Sequence, residues 1–143
     1  MLAHRSRRPI SIVHQPFYTL FLPVAVVCFL GATITDIAYR NSGGTLLWVN
    51  FSTWLLATGL VFAGIALFIL LIDSIRGAAS WLAFLLLIVT FVIELVNSFV
   101  HARDGWTAVV PLGLILSVIG AILILVCGWL GRQARYVVES RVA

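Results

Sequence analysis

Three observations predict an all-α protein, a four-helix transmembrane bundle running up-down-up-down. Four long apolar runs lie in the chain, short polar breaks separate them, and charges are almost wholly kept out of the runs. With 62% hydrophobic and 10% charged residues, the composition lies far from that of an ordinary soluble domain, about 25% charged. It is the composition of an integral membrane protein. Residues 1–143 read as a single integral membrane domain with short basic tails at both ends. No soluble catalytic domain fits in what the runs leave over.

The first run extends from Phe17 to Ala38 and stops at Arg40-Asn41-Ser42-Gly43-Gly44. The second, Leu46 to Ile72, ends at the break Ser74 to Gly77, and the third, Ser80 to Val100, at Arg103-Asp104-Gly105. The fourth runs from Val110 to Leu130. Each reaches the roughly 20 residues that a helix rising about 1.5 Å per residue needs to cross a bilayer. Short connections make successive helices antiparallel neighbours. A membrane barrel would instead show segments of about ten residues with alternating polarity. Ser6-Arg7-Arg8 resembles the start of a twin-arginine export signal. The run behind it exceeds a signal core of about 7–15 residues, and no small-x-small cleavage site follows, so an uncleaved span is expected.

Arginine placement sets the expected orientation. Arg5, Arg7, Arg8, Arg76, Arg132, Arg135 and Arg141 fall on one side, and only Arg40 and Arg103 on the other. Cytoplasmic flanks retain the excess of basic residues, so both termini are expected in the cytoplasm and the protein in the inner membrane. The basic tails suit anionic lipid, and no module presents the +4 charge to nucleic acid. Trp48 and Trp106 anchor the outer interface and Trp81 and Trp129 the inner one, while Trp54 is expected to fill space among the helices.

Glu94 is the exception to the exclusion of charge, because it sits well inside the third run. A carboxyl group in hydrocarbon is costly and is by default a functional candidate. Asn97 and His101 follow it at helical offsets of three and seven, on the same face. Counted from the cytoplasmic side, Asp36, Asn50, Thr53 and Ser117 reach a similar depth on the other helices. They define a candidate outer polar site of Glu94, Asn97, His101, Asp36, Asn50 and Ser117. An acid in such a pocket passes protons or holds a cation; alternatively, a neutral Glu94 is packing glue, hydrogen-bonded to Asn97 or a neighbouring hydroxyl. A second candidate pair, His14 and Asp73, meets at the cytoplasmic ends of the first two helices. It reads as a clasp or as a proton or metal entry point, but one histidine and one carboxylate do not complete a metal shell.

Cys28 and Cys127 lie at depths about 10 Å apart, too far for a disulfide, and read as small core residues. His14 and His101 belong to opposite faces, about 30 Å apart, and cannot ligate one haem iron. Only His4 with His14, or one histidine repeated across a dimer, leaves haem open, so neither cofactor nor metal is expected. Gly59 with Ala63, and Gly113 with Ser117 and Ala121, form small-xxx-small patterns that suit close helix packing within the bundle or along a homodimer seam.

The stretch Val110-Pro111-Leu112-Gly113, then Leu116-Ser117, Gly128-Trp129-Leu130-Gly131 and Tyr136, resembles the last helix of domain-of-unknown-function family 2231, small bacterial four-helix membrane proteins. Asp36, Gly59, Asp73 and Asn97 fall where similar residues occur in that family, and the resemblance covers Ile12 to Tyr136. The chain departs from the family in two places. Arg8-Pro9 and His14-Gln15-Pro16 replace closely spaced His-Pro pairs, which weighs against a ligand role of the amino-terminal histidines. The usual glycine-rich continuation is altered to Gly131-Arg132-Gln133-Ala134-Arg135-Tyr136. The resemblance implies no established activity. Family domains do occur joined to iron-sulphur or cytochrome modules, which implies an association with membrane electron transfer.

The expected function is that of a non-catalytic subunit or partner in a membrane complex, electron-transfer complexes included. The alternative is an oligomeric proton, cation or small-solute conduit, with the Glu94 site outside and His14 with Asp73 inside. Between Leu82 and Phe91 the third run offers only Thr90, which opposes a continuous route through one copy. No nucleophile, metal set or phosphate-binding glycine loop accompanies either carboxylate, so an enzyme is not expected.

Overall fold

Glycine stops fold the first three apolar runs back on one another. The computed structural model describes residues 17–103 and 109–142, with side chains as far as Leu130. Helix α1 spans Tyr18–Asn41, α2 Leu46–Ile75, α3 Trp81–Arg103 and α4 Leu114–Val142. Four stretches, the last running Val109–Leu130, are long and apolar enough to cross a membrane.

At the end of α1, Gly43 takes a left-handed φ of 72° and the Gly44 N–H donates to Tyr39 O at 3.1 Å. At the end of α2, Gly77 takes φ 71°, and Ala78 N–H donates to Asp73 O at 2.8 Å while Gly77 N–H donates to Ser74 O at 3.1 Å. Both stops use glycine because a side chain strains that backbone region, and both satisfy carbonyls that the helix leaves without partners. The helices outrun the apolar runs at their ends, α1 to Asn41, α2 to Ile75, α3 to Arg103 and α4 to Val142. Helical hydrogen bonding continues into the polar interface, where hydropathy has already fallen. The fourth element also starts differently from expectation. Val110 is extended (φ −120°, ψ 124°), as a residue before proline prefers, so Val109–Gly113 leads into α4 through a kink.

The helices close a ring in which α1 packs on α2 and α4, and α3 packs on α2 and α4. Each helix turns a stripe inward. On α2 the stripe is Val49, Ser52, Leu56, Gly59, Ala63, Ala66 and Leu70, at helical spacings of three and four. Phe29, Leu56, Leu87 and Ile124, one from each helix, are fully buried in the main apolar cluster, and Tyr39, Val49 and Val109 form a smaller one. Outward stripes, such as Leu47, Phe51, Trp54, Val61 and Phe68 on α2, are apolar and exposed. Trp54 does not fill space among the helices. It stands 74% exposed, because two residues past Ser52 a helix presents nearly its opposite face.

The small-residue stripes face inward. Gly59, Ala63, Gly113, Ser117 and Ala121 are buried within the bundle, which uses them to bring its own helices together. Cys28 and Cys127 are buried free thiols. At Gly59 a Cβ would lie 2.5 Å from Cε1 and 2.8 Å from Cδ1 of the fully buried Phe29. At Gly64 it would meet only Phe91 Cε2, at 3.5 Å. Gly59→Ala should therefore destabilise the bundle by about 1–3 kcal/mol. Gly64→Ala should be neutral or gain up to about 1 kcal/mol from helix propensity. Thermal unfolding of the purified protein in mild detergent compares the two.

A buried polar cluster joining four helices

Six polar side chains meet at one end of the bundle, beside the α1–α2 connection. Asp36 lies five residues before the end of α1, and Ser52 six residues after the start of α2. Glu94, Asn97 and His101 occupy consecutive turns of α3, and Ser117 lies in the first turn of α4. All except His101 have no exposed surface, and His101 is 3% exposed.

Asp36 is the hub. Ser52 Oγ–H donates to its Oδ1 at 2.5 Å, and Ser117 Oγ–H donates to its Oδ2 at 2.5 Å. His101 Nε2 lies 2.9 Å from Asp36 Oδ1 and 3.1 Å from Ser52 Oγ. One carboxyl group of α1 thus meets partners from α2, α3 and α4. The histidine ring is fixed from its other edge, where Nδ1–H donates to Asn97 O at 2.9 Å, one turn back on α3. Asn97 extends the cluster, since its Nδ2 donates to Ser117 Oγ at 2.8 Å and to Glu94 Oε2 at 3.0 Å. Thr33 Oγ1 adds a further tie, lying 3.0 Å from both Phe29 O and Ser117 O, to which its hydrogen is donated.

The two carboxyl groups are served unequally. Transferring a charged side chain to the centre of a bilayer costs about 2.5–3.5 kcal/mol on insertion scales. Asp36 offsets that cost with neighbours on both oxygens. Glu94 receives one donor, on Oε2, while its Oε1 and the Asn97 Oδ1 are buried without hydrogen-bond partners. The Glu94 carboxyl group lies against Gly120, where a Cβ would overlap it. Glycine at 120 is therefore what lets a glutamate of α3 rest against α4.

Of the residues expected in the outer site, the structure brings together Asp36, Glu94, Asn97, His101 and Ser117 and leaves out Asn50. Asn50 is exposed, and Thr53 donates from Oγ1 to Val49 O of its own helix at 2.9 Å. The α2 member is Ser52, which sequence reasoning missed. The signal was its phase, because Ser52 falls in register with Leu56, Gly59 and Ala63 and Asn50 does not. Gly120 was missed as well, since its role depends on which residue of α3 faces it. At the other end of the bundle Asp73 is half-buried, with Oδ2 unpartnered. The proposed pairing with His14 involves a residue outside the described set.

Among known proteins, a family model described as predicted membrane protein (DUF2231) matches residues 14–143. No curated protein and no solved structure matches the chain.

Removing the hub strands donors on three helices at once. Asp36→Ala should cost about 3–5 kcal/mol, as breaking one side of a buried charged pair does. Ser52→Ala should cost about 1 kcal/mol, the scale of a single hydrogen bond between membrane helices. A double-mutant cycle of Asp36→Ala with His101→Ala, followed by thermal unfolding in detergent, should give a coupling of about 1–3 kcal/mol.

Proposed function

The chain belongs to the DUF2231 family of predicted membrane proteins, and we propose that it acts as a non-catalytic subunit or partner of a membrane complex. The observation that carries this reading is the closure of the polar cluster. Asp36, Ser52, His101 and Ser117 spend their hydrogen bonds within the cluster at nearly zero exposure. They hold helices together and offer no reactive group to a solute. Directly beyond the cluster, Phe29, Leu56, Leu87 and Ile124 fill the bundle with apolar side chains. The arginine bias supports a bacterial inner membrane with both termini in the cytoplasm. The fused modules known in the family support an electron-transfer complex as the setting.

Because the small residues are consumed inside, the face offered to a partner is an outward one. The outer stripe of α2 is the best suited. Trp54 lies eight residues into the helix, about 12 Å along it, below the interfacial belt where tryptophan normally sits in lipid. A partner helix packed over Phe51, Trp54 and Val61 would cover it. A second reading, the oligomeric conduit for protons, cations or a small solute, is favoured by the unpartnered oxygens of Glu94 and Asn97. The apolar filling beneath them opposes a route through one copy.

A photocrosslinking residue at position 54, activated in native membranes, should join the chain to a distinct membrane protein, and Trp54→Ala should lower recovery of that protein at least about tenfold, the equivalent of 1.4 kcal/mol. Adducts at twice the chain mass alone would replace the partner with a second copy. Lipid adducts alone would overturn the proposal.

A further inference from the structure

One position in the cluster lacks a positive charge. His101 Nδ1 faces a main-chain oxygen, which only accepts, so Nδ1 carries a hydrogen. Nε2 lies 2.9 Å from a carboxyl oxygen of Asp36, so a hydrogen occupies that line as well. Whichever atom holds it, Asp36 and His101 together sum to zero charge. Glu94 has no such counterpart. The groups acting on it are Asn97, which donates to it, Asp36 and His101 across the cluster, and Gly120 of α4, against which it rests. Arg40 and Arg103, the described arginines at this end, are exposed. Among the described residues, ionised Glu94 leaves one negative charge at zero exposure with no cation beside it except His101, which Asp36 already pairs.

Two oxygens are free in the same cluster. Both hydrogens of Asn97 Nδ2 are spent, on Glu94 Oε2 and on Ser117 Oγ, and this sets the amide with Oδ1 turned away from both. Glu94 Oε1 and Asn97 Oδ1 are then buried acceptors one turn apart on one face of α3, each without a partner. Unused oxygens beside an unbalanced negative charge are what a single small cation completes. We propose that Glu94 and Asn97 contribute to a binding site for one monovalent cation, an alkali-metal ion or a proton, to which Glu94 Oε1 and Asn97 Oδ1 are the oxygens on offer. A divalent ion would overcharge the cluster. The site concerns occupancy alone. It requires neither a partner protein nor transport, and its failure leaves the subunit reading untouched.

Infrared spectra and thermal unfolding of the full-length protein in mild detergent test the site, with choline chloride exchanged for lithium, sodium or potassium chloride at constant ionic strength across pH 5.5–8.5. An alkali ion as ligand gives a Glu94 carboxylate band that appears with one of these salts, together with a rise in Tm of about 3 °C or more. A proton as ligand gives a protonated carboxyl band that persists in every salt. Glu94→Gln, which keeps the side-chain shape, removes either band and the salt or pH response. Glu94→Asp, which shifts the band, makes the assignment if the glutamine variant does not fold. A carboxylate band in choline chloride at neutral pH, unmoved by any of the salts and with flat Tm, overturns the proposal.

Discussion

The Asp36 carboxyl group, gathering a serine from α2, a histidine from α3 and a serine from α4, is the interaction on which the arrangement of the bundle depends. In water, helices associate because apolar faces escape solvent. In a bilayer the surrounding acyl chains are as apolar as leucine, so that driving force is absent and close packing and hydrogen bonds must select the neighbours. A carboxyl group inside hydrocarbon has few acceptable surroundings. Only one rotational setting of each helix brings Ser52, His101 and Ser117 to Asp36 together. The polar groups therefore act less as added stability than as a specification of which face of each helix points inward.

The small residues serve the same end. Gly59 beside Phe29 and Gly120 beside Glu94 remove volume where a neighbouring side chain must lie. The first admits an aromatic ring between α1 and α2. The second admits a carboxyl group between α3 and α4. Packing and hydrogen bonding thus agree on one register for each pair of helices, which is the mutual consistency expected of a sequence with a single native arrangement.

The fold was legible in the sequence because hydrocarbon imposes a length and a composition that few other structures meet. Glu94, Asn97, His101, Asp36 and Ser117 were legible for the same reason, since a polar residue within a span stands out against its surroundings. The α2 contribution was not. Asn50, Ser52 and Thr53 lie within four residues, and polarity ranks the amide first, whereas the phase of the inward stripe selects the serine. Trp54 was misplaced in the same way, its size suggesting the interior and its phase placing it outside. Depth in the membrane can be counted along a chain, but the face of a helix depends on what its neighbours present. That is why the contact between Gly120 and Glu94, set by two helices jointly, had no signature in either run.

The cluster also lies entirely at one end. Among the described residues, the opposite half holds the apolar cluster around Leu70 and Ala83, and Cys127 Sγ–H reaches Ala83 O there at 3.5 Å. Lipid tails can replace such contacts at little cost, and they cannot replace the partners of Asp36. The Asp36 cluster therefore acts on the bundle as a rivet set at one end. When bilayer thickness or lateral pressure changes, that rivet keeps the order of the four helices at the end where it lies.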